Sequence, residues 1–194
     1  MILKNLEKYY IILGSKSPRR QHLLKEIGVN FEVKVLEEIE EAYPDNLSKT
    51  EIPVYLAELK AKAFKNIIHN NTLLITADTI VWMNNRVIGK PVDKEDAIRL
   101  LKKLAGIMHQ VITGVCITTV NRTTSFYAMS DVYFSKLTDE EINYYIDTFK
   151  PYDKAGAYGI QEFIGYIGVE RIEGSFFNVM GLPIHKLYNE LKKF

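Results

Sequence analysis

The N-terminal segment combines an apolar run with a serine–proline pair of the kind that begins a helix, and this combination restricts the possible folds. Residues 9–13 have the length and composition of a buried strand. Ser17 is a preferred N-cap residue and Pro18 suits the first helical position, so a helix is expected to follow the strand closely. The segment therefore predicts a strand followed closely by a helix.

Arg19 and Arg20 fall in the first turn of that predicted helix, where they oppose the helix dipole. The N-terminal end of a helix is partially positive and favours acidic neighbours. A bound anion would remove the conflict, and guanidinium groups, free backbone N–H groups and the Ser15 hydroxyl suit a phosphate. The alternative is a pair of solvated surface arginines, which the segment alone does not exclude.

Length and charge restrict the remaining possibilities. The 194 residues suffice for one domain or two small lobes, and 47% hydrophobic residues are typical of a soluble globular protein. A formal net charge of +1 argues against a surface that coats nucleic acid or a basic membrane anchor. No secretory signal or membrane-spanning run is present, so a cytoplasmic location is expected. The one cysteine, Cys116, lies in an apolar segment and is interpreted as a buried thiol.

Alternating strand and helix patterns continue along the chain. Capping signals predict helices that are capped by Thr50 or its neighbours, by Asp93 and by Thr138. The predicted helices cover residues 50–68, 94–104, a segment that ends before Pro151, and the C-terminus. The predicted strands cover residues 31–36, 73–77, 80–83, 87–88, 110–120, 124–134 and 163–172.

Two charged residues occupy unusual positions in this pattern. Asp78 is predicted at the carboxyl end of a buried strand, which is where open α/β sheets bind ligands, although a capping role is a frequent alternative. Lys60 shares the face of Leu56 and Phe64 on its predicted helix. A lysine that extends its amine to solvent would also explain that position.

The acidic patch at residues 37–41 is either a solvated loop or a site for a hard cation beside the phosphate. Lys90 follows Gly89 but lacks the loop and helix of a Walker nucleotide site. The four histidines are scattered without the spacing of metal ligands.

Seven motifs follow one another along the chain. They are Ser15-x-Ser17-Pro18-Arg19-Arg20, Leu56-Ala57-x-x-Lys60-Ala61, Ala77-Asp78-Thr79, Gly89-Lys90-Pro91, a run from Leu104 to Val115, Asp153-Lys154-Ala155-Gly156-Ala157-Tyr158-Gly159-Ile160-Gln161, and Gly181-Leu182-Pro183. With these motifs in this order, the chain resembles the Maf (septum formation) proteins. The resemblance covers nearly the whole chain.

The resemblance implies a fold and a reaction. The expected fold is a mixed, twisted α/β sheet in a single domain over residues 1–194, with two lobes around a central cleft. The expected reaction converts a nucleoside triphosphate to the monophosphate and pyrophosphate, with a divalent cation such as Mg²⁺, Mn²⁺ or Co²⁺. A homodimer is expected, and neither a nucleic-acid polymer nor a membrane is expected as a partner.

The resemblance also implies roles for individual residues. Asp78 is the expected proton acceptor and a metal ligand, and the acidic ligand after the second strand aligns with Glu40 or, after a one-residue slip, with Glu41. The expected phosphate and substrate ligands are Ser15, Arg19, Arg20, Lys60 and Lys90.

Three positions are expected to choose the base, and they carry Arg19, Thr79 and Gln161 as in the branch that acts on dTTP and UTP. The branch that acts on 7-methyl-GTP differs there and is the second hypothesis. A regulator of cell division that senses nucleotides without hydrolysing them is the third. Glu162 departs from the family, in which glycine usually follows the glutamine.

Overall fold

The computed structural model describes residues 2–36 and 39–194, with a mixed α/β arrangement of helices and strands. The helices are α1 (Pro18–Glu26), α2 (Glu51–Ala63), α3 (Lys94–Leu104), α4 (Asp139–Phe149), α5 (Phe163–Gly168), α6 (Phe176–Met180) and α7 (Ile184–Leu191). The strands are β1 (Tyr10–Leu13), β2 (Glu32–Val33), β3 (Thr72–Met83), β4 (Arg86–Ile88), β5 (Met108–Thr118), β6 (Thr123–Phe134) and β7 (Val169–Glu173). Two 3₁₀ turns occupy Lys4–Leu6 and Ala155–Ala157.

The seven strands form one mixed sheet in the order β2-β1-β3-β5-β6-β7, and β4 pairs with the far end of β3. Strand β1 is parallel to both β2 and β3, whereas β4 and β7 pair antiparallel with β3 and β6. The first strand therefore lies inside the sheet, in agreement with the burial of Ile11, Ile12 and Leu13.

The chain divides into two compact units, and β3, β5 and β6 contribute residues to both. The first unit comprises Met1–Asp78, Thr113–Ala128 and Gly181–Phe194, and the second comprises Thr79–Ile112 and Met129–Met180. In the first unit, Ile12, Leu74 and Cys116 pack against the α2 residues Ala57 and Ala61. In the second unit, a larger core forms around α3, α4 and the strands, and it includes Val81, Leu101, Val132, Ile142, Tyr145 and Tyr158.

The predicted capping signals mark the ends of three helices correctly. Ser17, Asp93 and Thr138 each accept a hydrogen bond from the backbone N–H three residues later. Thr138 and Glu141 complete a capping box, because the Glu141 carboxylate accepts from the Thr138 backbone N–H at 2.7 Å. These local bonds explain why α1, α3 and α4 begin where the sequence predicted.

Three predicted boundaries are wrong. Helix α2 ends at Ala63 rather than at residue 68, because the Phe64 backbone N–H donates to the Ala61 carbonyl at 3.1 Å in a tighter turn that does not continue the α-helix. The predicted strand 31–36 shrinks to the two residues of β2. The predicted strand 163–172 is a helix over its first six residues, in which Gly165 lies so close to the Ile160 carbonyl that a Cβ would be 2.1 Å from its oxygen.

Strand β3 also differs from the prediction, because it continues through Asp78 to Met83 without a break. The β-prone residues after Asp78 extend the strand far enough to pair with β4. The parallel pairing with β1 nevertheless ends at Ile75. Asp78 therefore lies just past the carboxyl end of β1, as the ligand-binding rule for open sheets requires, although it does not end its own strand.

Candidate functional site

Side chains of the loop between β1 and α1 bond to the loop's own backbone. Ser15 is buried, and its hydroxyl accepts from the Ser17 backbone N–H at 3.3 Å. The first turn of α1 contains no acidic residue. Arg19 and Arg20 follow Pro18 directly, so the helix end and both guanidinium groups place positive charge in one region. This arrangement retains the electrostatic conflict that the sequence predicted and that an anion would relieve.

Arg20 ties this loop to two other segments of the first unit. Its Nε donates to the Gly181 carbonyl at 2.8 Å, and its Nη1 donates to the Ala77 carbonyl at 2.8 Å and to Ser15 Oγ at 3.3 Å. Burial lowers the pKa of Arg20, which the nearby carboxylate of Asp78 partly offsets. The guanidinium is thus fixed in place, next to the residue that precedes Asp78.

Lys60 lies between two carboxylates in the same unit. Its ammonium nitrogen is 2.5 Å from Asp78 Oδ1 and 2.8 Å from Glu41 Oε1. The side chains of Lys60 and Asp78 are 14% and 11% exposed, whereas that of Glu41 is 43% exposed. The lysine on the apolar face of α2 is therefore a partner of Asp78, and the interpretation that it merely extends into solvent is wrong.

Glu41 of the acidic patch contacts Lys60. Glu40 is exposed, and Glu37 and Glu38 lie outside the described residues. Among residues 2–36 and 39–194, no group of three or more His, Cys, Asp or Glu side chains is arranged to hold a metal ion. Asp78 and Glu41, which share Lys60, supply two carboxylates, a number that suits a cation bound mainly by phosphate oxygens.

The other expected site residues belong to the second unit. Thr79 is half-buried in β3, and Lys90 and Gln161 are exposed on loops. The Gly156 backbone N–H donates to the Gly89 carbonyl at 2.9 Å, so the loop that contains Gln161 is bonded to the residue before Lys90. The left-handed backbone of Gly156 (φ 70°) supports this contact. Two motifs separated by more than sixty positions in the sequence are thereby brought together.

Gln161 occupies a tight turn. The Glu162 backbone N–H donates to the Gly159 carbonyl at 3.1 Å, which leaves Ile160 and Gln161 as the central residues. Tyr145 and Lys154 contact this turn, and no role was predicted for either of them. Their spacing in the sequence gives no signal, since the contacts depend on how α4 packs.

His109 and Cys116 are both buried. His109 is buried, and its Nε2 lies 2.8 Å from the Tyr158 hydroxyl. Burial lowers the pKa of His109 to about 4. Cys116 is buried as predicted, and burial raises the pKa of its thiol.

Within the described residues, no helix combines the length and apolarity needed to cross a membrane.

The chain is similar to several known proteins. The sequence pattern of a family described as Maf-like protein matches residues 10–194. A dTTP/UTP pyrophosphatase of Phocaeicola vulgatus is 59% identical over 192 residues, which cover 99% of this chain and 100% of the relative. A dTTP/UTP pyrophosphatase of Parabacteroides distasonis is 57% identical over 193 residues, with 100% of both chains covered.

A solved structure also resembles the fold. The structure of a HAM1 protein from Coxiella burnetii aligns with a TM-score of 0.51 at 11% identity, covering 96% of this chain and 100% of the other. Identity this low bears on the fold alone. The predicted mixed α/β fold is confirmed by this likeness and by the seven-stranded sheet.

Proposed function

The chain belongs to the Maf family, and we propose that it hydrolyses dTTP and UTP to the monophosphate and pyrophosphate. The observation that carries this proposal is the contact of Lys60 with Asp78, beside the arginine-rich start of α1. Cleavage of a phosphoanhydride bond needs a positioned base and an electropositive environment for the charge that develops on the leaving group. The first unit contains residues suited to both needs.

Asp78 is the proposed base. It orients the water that attacks the α-phosphorus and accepts its proton as the bond to the β-phosphate oxygen breaks. The bond from Lys60 to Oδ1 fixes the orientation of the carboxylate. Because Asp78 is 8% exposed, few bulk water molecules compete for it.

Four cations and one hydroxyl are the proposed phosphate ligands. Arg19 binds the triphosphate through its guanidinium fork, and Lys60 and Lys90 act as point charges. Arg20 contributes its charge from a fixed position, since three of its hydrogen bonds go to Ser15 and two backbone carbonyls. The Ser15 hydroxyl completes this set.

The proposed reaction also uses a divalent cation. The carboxylates of Asp78 and Glu41 are suitable ligands for this cation, because Mg²⁺ commonly binds one or two carboxylates together with substrate phosphates. Glu40 remains the alternative ligand from the sequence. When bound, Mg²⁺ or Mn²⁺ would neutralise charge on the phosphate oxygens. The contact of Glu41 with Lys60 favours Glu41 over Glu40 for this role.

Base selection is assigned to Arg19, Thr79 and Gln161. The amide of Gln161 both donates and accepts hydrogen bonds, which suits the alternating edge of uracil or thymine. Its exposure leaves the side chain accessible to a ligand. The two relatives named as dTTP/UTP pyrophosphatases support the choice of these substrates over 7-methyl-GTP.

The direct test is to incubate the protein with dTTP, UTP, CTP, GTP and 7-methyl-GTP, with and without Mg²⁺, and to identify the products. We expect pyrophosphate and monophosphate from dTTP and UTP, only when the metal is present. Preference for 7-methyl-GTP would assign the protein to the other branch. Binding of nucleotides without any turnover would indicate a sensing regulator instead.

Assembly and location are proposed as well. A homodimer in the cytoplasm is expected from the resemblance, and sedimentation of the purified protein tests its mass in solution. A monomer at micromolar concentration would exclude the dimer without affecting the proposed reaction.

A further inference from the structure

Both ends of the turn that contains Gln161 are hydrogen-bonded to one hydroxyl group. The Gly159 backbone N–H donates to the Tyr145 hydroxyl oxygen at 3.0 Å, and the Tyr145 hydroxyl donates to Glu162 Oε2. Tyr145 is fully buried on α4. One side chain from a rigid helix therefore holds the residues on either side of the Ile160–Gln161 pair.

The carboxylate of Glu162 is held on its other side as well. Its Oε1 lies 3.1 Å from the ammonium nitrogen of Lys154, whose side chain is 8% exposed. Lys154 also contacts Asp153 at 2.8 Å. Burial and the contact with Glu162 raise the pKa of Tyr145, so its hydroxyl remains a donor. The network is thus complete from Lys154 through Glu162 to Tyr145.

The Glu162 carboxylate also occupies the space beside Gly159. A Cβ on Gly159 would lie 2.6 Å from the carboxylate carbon of Glu162, so the carboxylate fills the volume that a side chain would take. The Gln161 carbonyl accepts from the Tyr166 hydroxyl. The backbone of Gln161 is therefore fixed while its side chain stays exposed.

We propose that Tyr145 and Glu162 are positioning residues that set base discrimination through Gln161, an inference that rests on the proposed function. A hydrogen bond to a base edge needs the amide held within a fraction of an ångström. Two anchors on one hydroxyl supply that constraint. A purely structural network would support the fold without any effect on which base is chosen.

The experiment uses the full chain and steady-state kinetics with dTTP and GTP. Tyr145→Phe removes the hydroxyl and keeps the ring. Tyr144→Phe is the matched control, because Tyr144 is 53% exposed on the same helix. We expect Tyr145→Phe to lower the dTTP-to-GTP ratio of kcat/KM by about tenfold, mainly through KM for dTTP. Tyr144→Phe is expected to leave the ratio unchanged.

Gln161→Ala separates this inference from the proposed function. If Gln161→Ala leaves the ratio unchanged, Gln161 does not read the base, and both its specificity role and the present inference are wrong. If Gln161→Ala lowers the ratio but Tyr145→Phe does not, only the positioning role is wrong. In the double variant, Tyr145→Phe is expected to add no further loss to that of Gln161→Ala, because it acts through that residue.

Should Tyr145→Phe fail to fold, Glu162→Ala tests the same contact from its other partner. The substitution removes the carboxylate that accepts from the Tyr145 hydroxyl and pairs with Lys154. A fall in the dTTP-to-GTP ratio that disappears in the Gln161→Ala background supports the inference. An unchanged ratio in a folded Glu162→Ala protein overturns it.

Discussion

The ammonium nitrogen of Lys60 lies 2.5 Å from Oδ1 of Asp78, and protein encloses most of both side chains. Lys60 comes from α2 and Asp78 from β3, so the pair joins a helix to the sheet within the first unit. Glu41 approaches the same nitrogen from the loop after β2. Removal of the lysine would leave two carboxylates close together without their shared cation.

Lys60→Ala is therefore expected to destabilise the fold as well as slow the reaction. Loss of one partner from a buried ion pair costs about 3–5 kcal/mol, and the partial exposure of this pair places the expected loss near the lower end. Urea unfolding measures the change. Lys94→Ala, which breaks the exposed pair of Lys94 with Asp147, is the control and should lose far less stability. Equal losses in the two variants would contradict the structural role of Lys60.

Arg20 and Arg19 are expected to respond differently to replacement by lysine. Arg20→Lys loses the fork that reaches the Ala77 and Gly181 carbonyls, which should cost about 1–3 kcal/mol of stability. Arg19→Lys should change stability by no more than about 0.5 kcal/mol and mainly raise KM for dTTP. Thermal unfolding and steady-state kinetics on both variants check this contrast. It is wrong if Arg19→Lys proves the more destabilising change.

His109 is expected to make the fold less stable at mildly acidic pH. Its folded-state pKa is lowered by burial to about 4, against an ordinary value near 6.5. Between those values the unfolded state binds the proton and the folded state does not, so stability falls as pH decreases, by about 1.4 kcal/mol per pH unit.

His109→Gln should remove that dependence, whatever its effect on stability at neutral pH. Urea unfolding at pH 7 and pH 5 gives the slope for each protein. His185→Gln, at an exposed position, is the control and should keep the wild-type slope. An unaltered slope in His109→Gln would show that another group is responsible.

Gly114 of β5 packs directly on the start of α2. A Cβ at this position would lie 2.2 Å from the Pro53 carbonyl oxygen and 2.4 Å from the Val54 nitrogen. Gly114→Ala is expected to cost at least about 2 kcal/mol, since backbone must shift to admit the methyl group. Gly89→Ala is the control, because nothing lies within 4 Å of its added Cβ. Similar unfolding midpoints for both variants would contradict this packing.

Local signals made much of the fold predictable from the sequence. Ser17, Asp93 and Thr138 determine helix starts through bonds to residues three positions away, so they can be recognised without tertiary information. The turn at Asn84 and Asn85 is equally local, since both residues adopt positive φ angles of 51° and 56°. Such features depend on neighbours in sequence alone.

Other features depend on packing and were not predictable. The run after Glu162 is apolar enough for a strand, yet it forms α5. A short apolar run has no clear period, so its sequence does not separate a strand from a helix. Glu41 reaches Lys60 only through the path of a loop. The contact of Tyr145 with Glu162 likewise requires α4 to lie against the Gln161 turn. The sequence indicated the site residues individually, whereas their bonding partners required the fold.

The rate of pyrophosphate release by Asp78→Asn with saturating dTTP and Mg²⁺ shows whether Asp78 is the catalytic base. Asparagine keeps the size and an acceptor for Lys60 but cannot take a proton from water, so kcat is expected to fall by about 10²–10⁴-fold while the unfolding midpoint stays near that of the wild type. Asp147→Asn, which alters an exposed carboxylate, should retain wild-type kcat. A folded Asp78→Asn protein with kcat within a few-fold of the wild type would contradict the assignment of Asp78 as the base.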